Sequence, residues 1–279
     1  MGGGRRVRRP RRPPPRPDRG RRRRRAAHRL RAAGFLVPSP PRGGVVKVLA
    51  LETATPASSV AVGEDGKLGA MSLHVDRRGH VSFLVPALDF VFSRLGWDPG
   101  ETDVVAVDLG PGPFTGLRAG IATAQAVAAA VGARLVGVDS LSVLALRAAT
   151  GRRRIWPVVD MRRGQIATRP FRPLPGGVAP DGPIELMAPE EFRATLECEP
   201  TDTLVVGDWS VLPEGFWSGL HRVRRGRPRY PSADVILEIA SLKAANDEFL
   251  RPEELHPRYL REPDVAINWQ RFRAEGVWP

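Results

Sequence analysis

Cysteine occurs once in the 279 residues, at Cys198, so neither a disulfide framework nor a Cys-rich metal site can be built within one chain. That usage fits a reducing compartment, and a cytoplasmic location is expected. Histidine is nearly as scarce: the five, at 28, 74, 80, 221 and 256, include no two that are four apart. A helix therefore cannot present two imidazoles on one face, and no metal site is expected. Nor is there an unbroken run of eighteen apolar residues, so no membrane span is expected. The apolar piece at 32–37 is too short for a secretory signal.

Acidic residues are missing from one region in particular. Residues 1–44 hold sixteen Arg against a single Asp, a net of +15, whereas the whole chain carries +13. The difference leaves −2 for 45–279, so the basic character belongs to the first segment and says nothing about the body's ligand. Rich in Arg, Pro and Gly, that segment has too little apolar surface to offset its ordering entropy, and disorder is expected. It reads either as a basic arm for nucleic acid or as translated upstream sequence ahead of a working start at Val45 or Val46.

The body is organised around residues 104–132. A β-branched run, 104–107, has the character of a buried strand. A turn through Gly110, Pro111, Gly112 and Pro113 follows, then Thr115 as the expected N-cap, helix formers to Val131 and a stop at Gly132. Strand, glycine turn and helix N-terminus offer a place where backbone N–H groups can meet an anion, although two prolines remove donors. Equally, the turn can be plain strand-to-helix punctuation. Within the helix, Gly116, Gly120, Ala124 and Ala128 recur every four residues. Each helical glycine costs about 1 kcal/mol relative to alanine, which implies a packing reason. The small-residue surface can pack on the chain's own sheet, face a second protein, or do both.

Around this stretch, patterning predicts strands at 46–52, 58–62 and 68–75, with a hairpin turn at 64–67. An amphipathic helix at 80–95 carries Phe83, Leu84 and Leu88 at helical spacing, interrupted by Pro86. A strand at 134–138 and a helix at 141–149 complete the order β-β-β-α-β-α-β-α. The fold class expected is α/β, an actin-like ATPase (ribonuclease H-like) fold in two lobes, 45–150 and a smaller, degenerate 151–266. The second lobe reads as strands at 155–160, 165–171 and 203–206, a Pro/Gly-rich loop at 173–183, and helices at 189–199 and 233–250. Residues 267–279 form an irregular tail.

Four blocks occur in order: Val48-Leu-Ala-Leu-Glu-Thr-Ala-Thr55, Gly110-Pro-Gly-Pro-Phe-Thr-Gly-Leu-Arg118, Val159-Asp-Met-Arg-Arg-Gly164 and Pro257-Arg-Tyr-Leu-Arg261. Over 46–266 the chain resembles the TsaB (YeaZ-like) family of tRNA threonylcarbamoyladenosine biosynthesis proteins, paralogues of the catalytic TsaD family. The TsaD metal-binding His-x-x-x-His pair is absent, and His80 matches the single histidine that opens the first helix in TsaB proteins. The resemblance implies a subunit with no catalytic residues of its own. It would pair with a TsaD-type catalytic subunit, be joined by a TsaE-type ATPase, and meet tRNA through the complex. A homodimer would be the form taken alone. Carried onto this chain, the pairing surface would be Phe83, Leu84, Leu88, Gly116, Gly120, Ala124 and Ala128. Gly120→Leu or Ala124→Trp would then break the complex and spare the monomer. No intrinsic cofactor is implied; ATP or ADP at the partner interface would lie beside Thr53, Gly110, Gly112, Thr115 and Gly116. The alternative is an autonomous actin-like ATPase or sugar-kinase relative, with Glu52, Asp108, Asp139 or Asp160 as the base. In the turn after the first strand Glu52 stands where Asp is usual and glycine is missing, which counts against hydrolysis.

Overall fold

The computed structural model describes residues 44–76, 79–227 and 229–260. Most of the Arg-rich extension, the tail 267–279 and Arg261 of the last block lie outside them. The described residues belong to one compact unit built on two sheets.

The first sheet follows the predicted order. Strands β1 (Lys47–Glu52), β2 (Ala57–Glu64) and β3 (Lys67–Val75) form an antiparallel meander. The β2–β3 hairpin turns on Asp65 and Gly66, both at positive φ (48° and 78°), the pairing that matches strand twist. Helix α1 (His80–Leu95) crosses to β4 (Val104–Asp108), α2 (Phe114–Val131) crosses to β5 (Arg134–Val138), and α3 (Ser140–Arg147) follows. The sheet order is β3-β2-β1-β4-β5, with β1, β4 and β5 parallel. Side chains alternate with the pleat: Leu49 and Leu51 point into a core under α1 and α2. Val48 and Ala50 point into a second core on the opposite face. Helix α1 runs through Pro86 and starts at His80.

The second half repeats the arrangement. Strands β6 (Arg154–Asp160), β7 (Ile166–Thr168), β8 (Phe171–Leu174), β9 (Gly177–Pro180), β10 (Glu185–Met187), β11 (Thr203–Gly207) and β12 (Val223–Arg225) include the row β10-β7-β6-β11-β12. Its pairings are antiparallel, antiparallel, parallel and parallel, as in the first sheet. Helix α4 (Pro189–Glu197) takes the place of α1 between β10 and β11, whereas residues 208–222, which correspond to α2, hold only a short 3-10 turn, Trp209–Val211. This is the actin-like ATPase fold, degenerate in its second half. The expected loop at 173–183 is largely a hairpin of β8 and β9, and the single strand expected at 165–171 is broken between β7 and β8. Pro173, Gly177 and Pro180 sit on these strands at the sheet margin, where a missing N–H is tolerated, while Pro175 and Gly176 form the hairpin turn.

The halves also exchange helices. Helix α3 contributes Leu141 and Leu144 to a core with Ile155 and Val206 of the second sheet. The last helix, α5 (Ala233–Ala245), returns to the first sheet, where Ile236 and Leu237 pack against Val48 and Ala61. It ends at Ala245, five residues short of the predicted end.

Candidate functional site

The order of the elements brings blocks far apart in sequence to one end of the parallel strands. Thr55 and Pro56 after β1, Pro113 before α2, Asp160 and Arg162 at the end of β6, and Asp208, Arg229 and Tyr230 all border one cleft between the halves. The last block joins it from the side: Tyr259 stacks on Phe114 with centroids 4.5 Å apart and accepts a hydrogen bond from Arg118 Nε at 3.2 Å. The Arg258 amide donates to the Leu109 carbonyl at 2.7 Å.

The glycine turn is filled by protein. Thr53 is buried and its hydroxyl donates to the Gly116 carbonyl at 2.8 Å. A β-carbon on Gly112 would collide with the Ala54 carbonyl, one on Gly116 with the Thr53 carbonyl, and one on Gly120 with the Thr53 hydroxyl. Gly110 lies under Leu117 at a positive φ of 94°. Of the five residues expected beside a nucleotide, Thr53, Gly110, Gly112 and Gly116 are thus enclosed, and only Thr115 is exposed. Helix α2 starts at Phe114 after Pro113 rather than being capped by Thr115, because Pro113's carbonyl already accepts from the Leu117 amide at 3.4 Å. The cleft itself offers about 10 Å³ of cavity. That is roughly the room one water needs, against about 300 Å³ or more for a small-molecule pocket. These residues do not fit a nucleotide.

The carboxylates named as candidate bases divide sharply. Glu52 and Asp108, at the ends of adjacent parallel strands, are both buried. Burial, and then the charge of Asp108, pushes Glu52 well above the usual carboxylate range. Burial lifts Asp108 to about 7, although the Gly110 amide and the Ser140 hydroxyl, each 2.8 Å from Oδ1, pull it back. Among the described residues, Glu52 Oε2, Asp108 Oδ2 and the Thr55 hydroxyl have no hydrogen-bond partner. Asp139 caps α3 through the Ser142 amide at 2.9 Å and pairs with Arg169 at 3.3 Å, a structural tie between the halves. Asp160 accepts from the Arg162 amide at 2.8 Å within the turn. His80 is buried against Ser58, with Nδ1 2.7 Å from the hydroxyl, and burial lowers its pKa. Among the described residues no cluster of three His, Cys, Asp or Glu could hold a metal.

Helices α1 and α2 lie on one face of the first sheet, and their two sides differ. Leu84, Gly116, Gly120, Ala124 and Ala128 are buried, and Phe83 and Leu88 are half-buried against the same core. All seven residues expected to bind a partner therefore serve the chain's own packing, and the small-residue row is needed for α2 to approach Thr53 and the sheet. One flank of the outward side is apolar as well: Val81 and Val85 are 69% and 70% exposed, and Ala122, Ala126, Ala129 and Ala130 of α2 face solvent, whereas the exposed Phe90 lies on the other flank of α1. By length and composition α2 could also cross a membrane, with a third of it buried inside the fold. A core helix of a soluble protein meets the same measure.

Comparison with known proteins reaches both halves. Escherichia coli K12 TsaB, a tRNA threonylcarbamoyladenosine biosynthesis protein, is 29% identical over 81% of this chain and 98% of its own length. An uncharacterised Mycobacterium tuberculosis H37Rv protein is 31% identical over 78% of this chain and 93% of its own. YeaZ from Pseudomonas aeruginosa superposes with a TM-score of 0.66 at 26% identity, over 77% of this chain and all of that one. The chain belongs to the TsaB (YeaZ-like) family. Residues 74–174 also match the family described as TsaD, tRNA N6-adenosine threonylcarbamoyltransferase, a span that contains α1, the glycine turn and α2.

Two features of the structure were not revealed by the chain's patterning. Val81 and Val85 stand one turn apart beside Leu84 and Leu88, so the helical period contained them, but the side of α1 with more apolar residues is the one that spacing marks. Asp208 had no signal apart from its place after β11. It is buried, and accepts from Arg229 Nε at 2.9 Å and Tyr230 at 3.3 Å.

Proposed function

We propose that this chain is the non-catalytic subunit of tRNA N6-threonylcarbamoyladenosine modification, scaffolding and activating a TsaD-type transferase through the outer side of α1 and α2. The observation that carries the proposal is the exposed apolar stripe of Val81 and Val85, one turn apart on α1, together with the exposed alanines of α2. A helical pair from another subunit can pack closely there, because alanine lets backbones approach. The direction of the family resemblance supports a cytoplasmic complex that a TsaE-type ATPase joins and that meets tRNA as a whole. The enclosed glycine turn argues against turnover of nucleotide in this chain's own cleft; ATP or ADP would be held by the partner's side of the assembly.

Co-purification of the full chain with the TsaD-type and TsaE-type proteins of the same organism, followed by tRNA modification in vitro, tests the reading. Modification is expected only when this chain is present, with no ATP turnover by the chain alone. Equal modification without it, or turnover by the isolated chain, overturns the proposal. A homodimer through the same face is expected to dissociate when the partner is added.

A further inference from the structure

The outer strand of the second sheet, β12, begins a stretch of unusual charge. Residues 222–229 contain five arginines and no acid, in a body whose net charge is close to zero. Arg224, Arg225, Arg227 and Arg229 are exposed. The Arg225 guanidinium lies 5.3 Å from the Trp209 ring centroid and 5.6 Å from that of Trp217, and the two indoles meet edge to face at 6.4 Å. Arg147, Trp209, Gly226, Arg227 and Arg229 line an open concavity of about 440 Å³. No carboxylate is among its lining residues. Asp234 and Asp208 are engaged with Arg147 and Arg229, at 2.8 and 2.9 Å. Among the described residues, Arg225 and Arg227 form no ion pair.

Charge on an edge strand discourages sheet-to-sheet association, and a guanidinium over indoles can roof a core. Neither explains a hollow lined by three arginines and Trp209. We propose that this concavity binds RNA, arginines 224, 225, 227 and 229 tracking the phosphodiester backbone while Trp209 offers a stacking surface to an unpaired base. An acidic polypeptide would match the charge but make little use of the ring. The proposal is independent of the helix-layer reading, since its probe is RNA and no partner protein is involved.

The test compares the full chain with two variants, Arg224→Gln/Arg225→Gln/Arg227→Gln and Arg227→Glu. An unmodified tRNA transcript and a single-stranded RNA of equal length serve as probes. The Arg-rich residues 1–44 are common to all three proteins, so differences report the patch. Each lost phosphate contact lowers the log K against log salt slope by about 0.7 to 0.9. The triple variant is therefore expected to lose a slope of about 2 and on the order of tenfold in affinity at low salt, with unchanged thermal unfolding. Arg227→Glu, which breaks no ion pair, is expected to weaken binding in the same direction and covers the case of a misfolded triple variant. Ultraviolet crosslinks should map to Trp209. Unchanged slope and affinity in a folded variant overturn the proposal. So does loss of poly-glutamate binding with RNA binding intact, which would assign the hollow to an acidic protein.

Discussion

The chain builds nearly the same sheet twice and connects the fourth strand to the fifth in two different ways. In the first half α2 makes the crossing, and its Gly116 and Gly120 sit against the Thr53 backbone and hydroxyl. In the second half the irregular segment 208–222 makes it, anchored by Phe216, Leu220 and half-buried Trp209 and Trp217. A close-packed helix seals its strand ends from water, so Glu52 and Asp108 are dry and held toward their protonated forms. The irregular crossing leaves Asp208 in reach of the half-exposed Arg229, which keeps it charged. One architecture thus yields opposite charge states at corresponding places, and close approach of the crossover accounts for the difference.

The sharpest way to break the comparison is to push α2 away. Gly120→Leu adds a branched side chain where even a β-carbon meets Thr53. Overpacking of a full core position costs about 1–3 kcal/mol or more, and here the displaced hydroxyl also loses its bond to Gly116. A loss of at least about 3 kcal/mol in urea unfolding, or no soluble protein, is expected. A monomer of native stability would mean that α2 does not seal the strand ends as described. This reverses the sequence-based expectation that Gly120→Leu and Ala124→Trp spare the monomer.

The outer side of the same helices should behave in the opposite way. Val81→Asp with Val85→Asp places charge on residues about 70% exposed, where substitutions stay within about ±0.5 kcal/mol of wild type. Buried in a helix–helix interface, the same charges should reduce affinity for the TsaD-type partner on the order of a hundredfold, measured by titration calorimetry. The neighbouring Leu84→Ala supplies the contrast: about 2–5 kcal/mol of stability lost from the core, with affinity per folded molecule retained. Undiminished affinity in the double variant would remove α1 from the interface.

How much of this was legible beforehand follows from where the information resides. The first half could be read strand by strand because its strands are continuous apolar runs and its turns carry their own chemistry, as at Asp65-Gly66. The glycines of α2 announced a close approach correctly, but sequence cannot say whether the close neighbour is the chain's own Thr53 or another subunit. The second half was less legible because β7, β10 and β12 are three residues each, shorter than any period can establish. Their register comes from neighbours such as β6 and β11, which lie far away in sequence. The cleft's contents were unreadable for the same reason: whether Thr53 fills the glycine turn depends on the separation of two strand ends.

The finest test of the two-half comparison uses pH, because its two acids should respond with opposite sign. Burial raises Asp108 to about 7 from an ordinary 3.8, so the folded chain keeps a proton that the unfolded chain releases. The associated stability is complete below about pH 4 and is lost as pH rises through about 7. Burial also pushes Asp208 upward, but hydrogen bonds from Ser210 and Arg229 and the arginine's charge outweigh it, leaving Asp208 below 3.8. Its contribution is present above about pH 4 and disappears as pH falls through the lower folded value. Asparagine at either position removes the titration and keeps the size. Relative to wild type, Asp108→Asn should therefore gain stability steadily from pH 5 to 8, as the wild-type acid is forced to ionise. Asp208→Asn should be most costly near neutrality and approach wild type toward pH 3, and because Arg229 is half exposed the cost should stay near 1 kcal/mol. Urea unfolding across that range separates the two, and parallel profiles would show that the crossover does not govern the charge of the strand-end acids.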